Sequence, residues 1–427
     1  MRIDKNTTIR LGDRNIVKVK IGDSVIWQKT TGPVVGPDYF YIESLGDGNT
    51  ISVINQGDGS TDNVTPTLEY STDKNTWNTI TFDWTNGEHT TELPVKLNTG
   101  GKMYFRNDTR LFSNLYTKFI SFSSSVSSNV GGDIRTLSNY LDVNSETKPQ
   151  SNMFKNLFFN NKFIVDASNL RLSYTTLEIS CYSSMFQGCT SLTTTPALPT
   201  TTLAGTCYSS MFQGCTSLTS APTLPATTLA DGCYSSMFES CTGLTSAPTL
   251  LATTLANNCY SSMFYGCSSL TTAPTLPATT LAGGCYENMF FGCSSLTTAP
   301  TLPATTLASY CYYGLFRNCT SLTTAPELPA TTLASYCYYD MFNGCTGLTT
   351  APELPATTLE SLCYYQLFYG CTSLTSVTIY ATSTAYGSFA GWLSNVAASG
   401  TVYNNGGVSL PINSVSGIPS GWTEVKN

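Results

Sequence analysis

The chain has 427 residues, a formal net charge of −7, and only 11% charged against 41% hydrophobic residues. That apolar share is enough to build a core, so a folded protein of about two to four domains is expected rather than a disordered one. Residues 1–180 carry 18 basic and 19 acidic groups, whereas residues 181–388 carry Arg317 against Asp231, Glu239, Glu287, Glu327, Asp340, Glu353 and Glu360. Nucleic-acid binding needs a basic stripe that displaces counterions, so this balance argues against DNA or RNA as a partner. No stretch approaches the ~18 continuous apolar residues of a membrane span. The opening residues show no apolar signal core, so synthesis in a cytosol without export by the usual route is expected.

Residues 1–30 alternate in the manner of a small β-meander, which reads as an anchor module. Its runs are Thr8-Ile9-Arg10-Leu11, Ile16-Val17-Lys18-Val19-Lys20-Ile21 and Val25-Ile26-Trp27, separated by Gly12-Asp13 and Gly22-Asp23. Residues 31–37, Thr-Gly-Pro-Val-Val-Gly-Pro, form a linker. Residues 38–125 read as a β-sandwich, with turns at Gly46-Asp47-Gly48, Asn75 and Asn86-Gly87. Residues 126–180 read as a connector and an irregular capping repeat. Asn152-Met153-Phe154 and Leu172-Ser173-Tyr174-Thr175-Thr176-Leu177 echo the motif that follows.

From residue 181 to about 380 one 26-residue unit recurs eight times, close to Cys-Tyr-x-x-Met-Phe-x-x-Cys-Thr-x-Leu-Thr-x-x-Pro-x-Leu-Pro-Ala-Thr-Thr-Leu. A fixed period of this length means a solenoid, because one unit cannot bury its apolar face without a neighbour. In the unit from Cys207, the residues Tyr208, Met211, Phe212 and Cys215 follow the i, i+3, i+4, i+7 spacing of a helix face, and Gly214 would end that helix. Leu218, Leu224 and Leu229 point inward from short extended pieces, and Pro222 and Pro225 rule out a long central strand. Residues 381–427, with Trp392 and Trp422, read as the C-terminal cap.

All sixteen cysteines lie in the repeats: Cys181, Cys189, Cys207, Cys215, Cys233, Cys241, Cys259, Cys267, Cys285, Cys293, Cys311, Cys319, Cys337, Cys345, Cys363 and Cys371. A helix between the two of each unit would hold them roughly 10–12 Å apart, too far for a disulfide. CxxC spacing is absent and His89 is the chain's one histidine, which speaks against zinc. A ladder of buried thiols is the preferred reading, with disulfides as the alternative.

Positions that vary between units carry more information than those that repeat. The first site after the repeat tyrosine reads Ser183, Ser209, Ser235, Ser261, Glu287, Tyr313, Tyr339, Tyr365. Four residues later the column reads Gln187, Gln213, Glu239, Tyr265, Phe291, Arg317, Asn343, Tyr369, and Tyr310 and Tyr336 stand nearby. This predicts an outer ridge of Tyr265, Phe291, Tyr310, Tyr313, Arg317, Tyr336, Tyr339, Tyr365 and Tyr369. Such a ridge serves either as a contact surface or as packing against itself or a sister subunit. The threonines at 219, 245, 271, 297, 323 and 349 form a second, exposed face. Glu327 and Glu353 occupy equivalent sites in adjacent units, about 5 Å apart if the units stack as strands, but no third group supports catalysis.

The segments Met185 to Thr193 and Ala325 to Leu333, with their copies, resemble the leucine-rich repeats of the BspA-like family, found in surface proteins of Bacteroidales and in their phages. The ending Gly417-Ile418-Pro419-Ser420-Gly421-Trp422-Thr423 is similar to the usual close of such proteins. The opening through Val25-Ile26-Trp27-Gln28 is similar to short modules of phage structural proteins. The resemblance implies β-rich N-terminal modules followed by an α/β leucine-rich-repeat solenoid, with no enzyme activity and no cofactor. With no export signal in view, it implies a phage virion appendage or decoration protein. The N-terminal modules would dock on other virion proteins, and the repeats would bind a host surface protein or capsular glycan. A purely structural virion protein and a bacterial surface adhesin are the alternatives, and a homo-oligomer is compatible with each.

Overall fold

The computed structural model describes residues 18–21, 24–28, 38–57, 67–82, 87–107, 119–139 and 148–426. The chain divides into two compact units, Met1–Asp38 and Tyr39–Asn427. In the first, β1 (Lys18–Ile21) and β2 (Ser24–Gln28) pair antiparallel, with a register shift between Val19 and Lys20. The expected strand at residues 8–11 and the linker at 31–37 lie outside the described residues.

The second unit opens with a two-sheet sandwich. Its strands are β3 (Phe40–Ser44), β4 (Ile51–Gly57), β5 (Thr67–Ser71), β6 (Asn78–Thr81), β7 (Gly87–Glu92), β8 (Lys102–Arg106), β9 (Phe119–Ser124), β10 (Ser128–Asp133) and β11 (Ile164–Arg171). One sheet runs β11-β10-β3-β8-β5-β6 and the other β7-β4-β9. Alternation sets the faces: Phe40, Ile42, Met103 and Phe105 are buried, while their neighbours Tyr41 and Tyr104 are half-buried. The sheet runs past residue 125, where the sequence placed a boundary, because β10 and β11 belong to it. β11 pairs parallel with β10, and its Asp166 also bridges Thr194. That strand is therefore shared between the sandwich and the first layer of the solenoid.

The repeats contain no helix. The one helix among the described residues is α1 (Thr136–Asn139), so the α/β expectation is corrected. Where a helix was expected, each unit makes three consecutive four-residue turns, here called a rung. Every fourth residue has positive φ: Thr206, Ser210 and Gly214 in one rung, Gly232, Ser236 and Ser240 in the next. The N–H groups divide between two ladders. Those of Ser209, Met211 and Gln213 bond carbonyls three residues back, and those of Tyr208, Ser210, Phe212 and Gly214 bond carbonyls of the following rung. A helix sends every N–H four residues back along its own chain. Here half of them tie one rung to the next, so this face of the solenoid is knitted like a sheet. The turn signature begins at Asn152, Asn156 and Asn160 and recurs through Gly387, Gly391 and Asn395, two rungs more than the eight cysteine-bearing units.

The extended pieces are equally brief. Ser220, Ser246 and Thr272 form single parallel bridges from unit to unit, as do Thr228 with Thr254 and Thr332 with Thr358. A two-residue strand, β12 (Glu353–Leu354), fits between Pro352 and Pro355, and longer strands follow where that proline pair drops out: β13 (Ser376–Ile379), β14 (Gly400–Asn404) and β15 (Trp422–Lys426), the four forming one parallel sheet. Residues 381–427, expected as a cap, thus continue the solenoid's own layers.

One apolar column fills the interior. The repeat tyrosines from Tyr182 to Tyr364 stack at centroid distances of 5.7–6.0 Å, and Phe389 closes their row. The phenylalanines from Phe158 to Phe368 stack at 5.0–5.8 Å. All sixteen thiols are free and buried. The helical rise invoked to keep them apart is absent, so the thiols need another account. The second cysteine of each unit supplies it, since its Sγ donates to a phenylalanine carbonyl of the preceding rung, as Cys215 does to Phe186 at 3.2 Å and Cys345 to Phe316 at 2.9 Å. Cysteine is small enough for the tight turn and carries a weak donor for that carbonyl.

Candidate recognition surface

The turn face carries the ridge. Side chains at the first positive-φ column and three residues beyond it emerge on the same side, which brings Tyr310 beside Tyr313 at 6.0 Å and Tyr336 beside Tyr339 at 5.9 Å. Along the stack, Tyr310 lies on Tyr336 at 4.6 Å, Tyr313 on Tyr339 at 4.7 Å and Tyr339 on Tyr365 at 4.4 Å. Five tyrosines thus form one two-column cluster. Planes within 16° of parallel mean that the rings cover one another's faces and turn their edges outward. Tyr310, at 40% exposure, is the most open of them, and the others are half-buried.

The remaining expected residues fall into a second stack. Tyr265 lies on Phe291 at 4.4 Å, and the Arg317 guanidinium sits 5.3 Å from the Phe291 ring centre. Asn343 interrupts this column before Tyr369. In the N-terminal half the same column is polar: Gln187 donates to Gln213 at 2.7 Å.

A polar group that the sequence reading passed over joins the two stacks. Asp340 is buried, and its Oδ2 accepts from Arg317 Nη1 at 3.0 Å. Its Oδ1 accepts from Asn343 Nδ2 at 2.9 Å, and Asn343 also donates to Gln366 Oε1 at 3.3 Å. Burial pushes the Asp340 carboxyl above its ordinary range, against the opposing pull of Asn343 and Arg317. Glu287, half-buried, is likewise pushed up by desolvation. The clue in the sequence was the residue type: Asp340 is the one carboxylate in a column otherwise held by Asn156, Ser184, Ser210, Ser236, Ser262, Asn288, Gly314, Gln366 and Gly391, all of which have positive φ in the structure.

The threonine face is exposed and carries a bond ladder of its own. Thr245 Oγ1 donates to the Thr219 carbonyl at 3.2 Å, and Thr349 Oγ1 to the Thr323 carbonyl at 3.1 Å. Glu327 and Glu353 are both exposed, and Glu353 accepts from the Tyr380 hydroxyl at 3.4 Å. Burial raises every cysteine, Cys181 and Cys241 to about 12, so none of these thiols is a nucleophile near neutral pH. Among the described residues, no cluster of three or more His, Cys, Asp or Glu is placed to hold a metal ion, and no helix is long and apolar enough to cross a membrane.

Residues 154–297 and 285–396 match the family model described as BspA type leucine rich repeat region. No curated protein matches the chain. A leucine-rich repeat protein from Bacteroides ovatus, known from its crystal structure, is similar at 18% identity over 64% of this chain and 77% of that one, with a TM-score of 0.36.

Proposed function

The chain belongs to the BspA-type leucine-rich repeat family, and from that premise we propose that it is a non-enzymatic attachment protein. Its solenoid binds a host cell surface through the turn face, and its N-terminal modules dock it on a phage virion. The observation that carries this reading is the change of character along one face. Ser183, Ser209 and Gln213 give way to a continuous band of tyrosine edges from Tyr310 to Tyr365, backed by the Arg317–Asp340 pair. Aromatic and arginine side chains dominate the energetics of contact surfaces, and tyrosine edges bring hydroxyl groups to a protein or glycan partner. The likeness of the opening residues to phage structural modules supports a virion as the platform. Many copies on one particle make weak single contacts sufficient.

The test is direct. The full chain, labelled and added to Bacteroidales cells and to their purified capsular polysaccharide, binds one of them, and mass spectrometry finds the chain in purified virions. Absence from virions together with no binding to either would remove the proposal. A second reading, a structural virion subunit whose ridge packs against its neighbours, is favoured by the rings' mutual stacking. It expects strong hydrogen-exchange protection at Tyr313, Tyr339 and Tyr365 only after assembly.

A further inference from the structure

The two ends of the solenoid are unlike. At the N-terminal end the sandwich closes the first rung: the Phe122 N–H donates to the Leu157 carbonyl at 2.7 Å, and Asn161 Nδ2 donates to the Phe122 carbonyl at 3.1 Å. At the other end, Leu362, Tyr364, Gln366, Phe368 and Gly370 send their N–H groups to carbonyls of the final rung, at Tyr386, Ser388, Ala390, Trp392 and Ser394. The equivalent groups of that final rung belong to Gly387, Phe389, Gly391, Leu393 and Asn395. Of these only Gly391 meets a carbonyl among the described residues, that of Val415 at 2.9 Å. β15 is the outermost strand of its sheet, and no described strand lies beyond it. The same terminal layer holds the three most exposed large apolar side chains of the described residues: Tyr386 at 81%, Val415 at 70% and Ile412 at 66%.

We propose that this C-terminal face is the interface of a homodimer, formed by antiparallel pairing of β15 with β15 of a second copy. A bare strand edge beside exposed apolar groups is a template for pairing, and natural edges are normally blocked. The donor row of the last rung cannot pair with its own image, since donors would face donors. The β15 edge offers both donors and acceptors. The register Thr401–Thr423, with the Thr401 N–H bonded to Thr375, turns the backbone groups of residues 424 and 426 outward. Pairing centred on Val425 then sets Glu424 against Lys426 of the second copy, and Lys426 against its Glu424. The two side chains already share a face, 3.4 Å apart within one chain. Lys426 is half exposed, at 56% of its side chain, while Glu424 is held by Asn404 Nδ2 at 2.6 Å, so the carboxylate is fixed and the exposed lysine exchanges its own Glu424 for that of the second copy. The strand is thus self-complementary in charge as well as in hydrogen bonding, as a two-fold interface requires.

Sedimentation velocity of the full chain over a concentration series tests this. The wild type dimerises, and Lys426→Glu raises the dimer dissociation constant by about tenfold, because both cross-strand pairs become repulsions. The double swap Glu424→Lys with Lys426→Glu restores association to near the wild-type constant. Hydrogen exchange of the wild-type chain gives an independent reading, since the amides of residues 424 and 426 gain protection as concentration rises. A wild type that stays monomeric at its highest soluble concentration overturns the proposal. So does a Lys426→Glu chain that dimerises as well as wild type, or exchange at 424 and 426 that is unchanged by concentration.

Discussion

Phe158 stacks on Phe186 with ring centroids 5.0 Å apart and planes 22° from parallel, while its other side meets Phe122 of β9 at 6.2 Å and Phe40 of β3 at 6.0 Å. The aromatic column of the repeats therefore runs into the core of the sandwich without a break. The two modules share one interior, and the sandwich does for the solenoid what a capping repeat does elsewhere. Replacing Phe158 by Ala removes the joint, and a cost of about 3–5 kcal/mol is expected for such a buried aromatic. In wild type, denaturant unfolding followed by tyrosine fluorescence and by exchange of the sandwich amides gives coincident transitions. In Phe158→Ala they separate.

Alkali offers a second test. Burial raises the pKa of the cysteines, Cys259, Cys293 and Cys371 among them to about 12, from an ordinary value of 9.0. Between those values the unfolded chain has released protons that the folded chain still holds. Stability is thus complete below about pH 9 and falls as pH rises toward 12, at up to about 1.4 kcal/mol per pH unit for each protected thiol. Melting temperature measured from pH 6 to 11 should be level at first and then drop steeply, and iodoacetamide at pH 8 should modify none of the sixteen without denaturant. Rapid alkylation of the folded chain would show that the column is not closed.

Backbone strain at the turn columns predicts opposite outcomes at two sites. Leu362 has φ +57°, a conformation costly for a branched side chain, and Leu362→Asn should stabilise by about 1 kcal/mol. Gly214 has φ +73°, and Gly214→Ala should cost a similar amount. Chemical denaturation midpoints at constant m-value decide both.

Asp340 is retained at a cost. Its raised pKa means that its charged form is disfavoured by folding, so its stabilising contribution exists below its ordinary pKa and is lost as pH rises through the folded value. Asp340→Asn, which also suits the φ of 55°, should gain about 1 kcal/mol at pH 7 and nothing below pH 4. A gain at neutral pH together with weakened surface binding would mark Asp340 as serving recognition through Arg317.

Much of this architecture could be read from residue spacing. The 26-residue period, the inward Tyr, Met, Phe and Leu positions and the outer aromatic columns follow from comparing the units with one another. The local backbone was misread, because Tyr208, Met211, Phe212 and Cys215 fit a helix face and a four-residue turn repeat equally well. The distinguishing signal lay at Thr206, Ser210 and Gly214, whose equivalents are mostly Ser, Asn and Gly. Gly and Asn tolerate positive φ and all three types favour helices poorly, but the apolar pattern outweighs them when only hydrophobic period is counted. The stacking of Tyr310 on Tyr336 was less legible. Sequence places both rings on one face but does not say whether they present faces or edges. The bond from Arg317 to Asp340 spans two rungs, and its register depends on the turns that were missed.

The ridge is the centre of the functional account, and adsorption tests it most directly. Full-length wild type and a Tyr339→Ser/Tyr365→Ser chain are compared for binding to Bacteroidales cells, with melting temperature as the control for folding. The account predicts at least tenfold weaker binding, the loss of about 1.4 kcal/mol that removal of two contact tyrosines entails, with the fold retained. Binding equal to wild type by a folded double variant would contradict it.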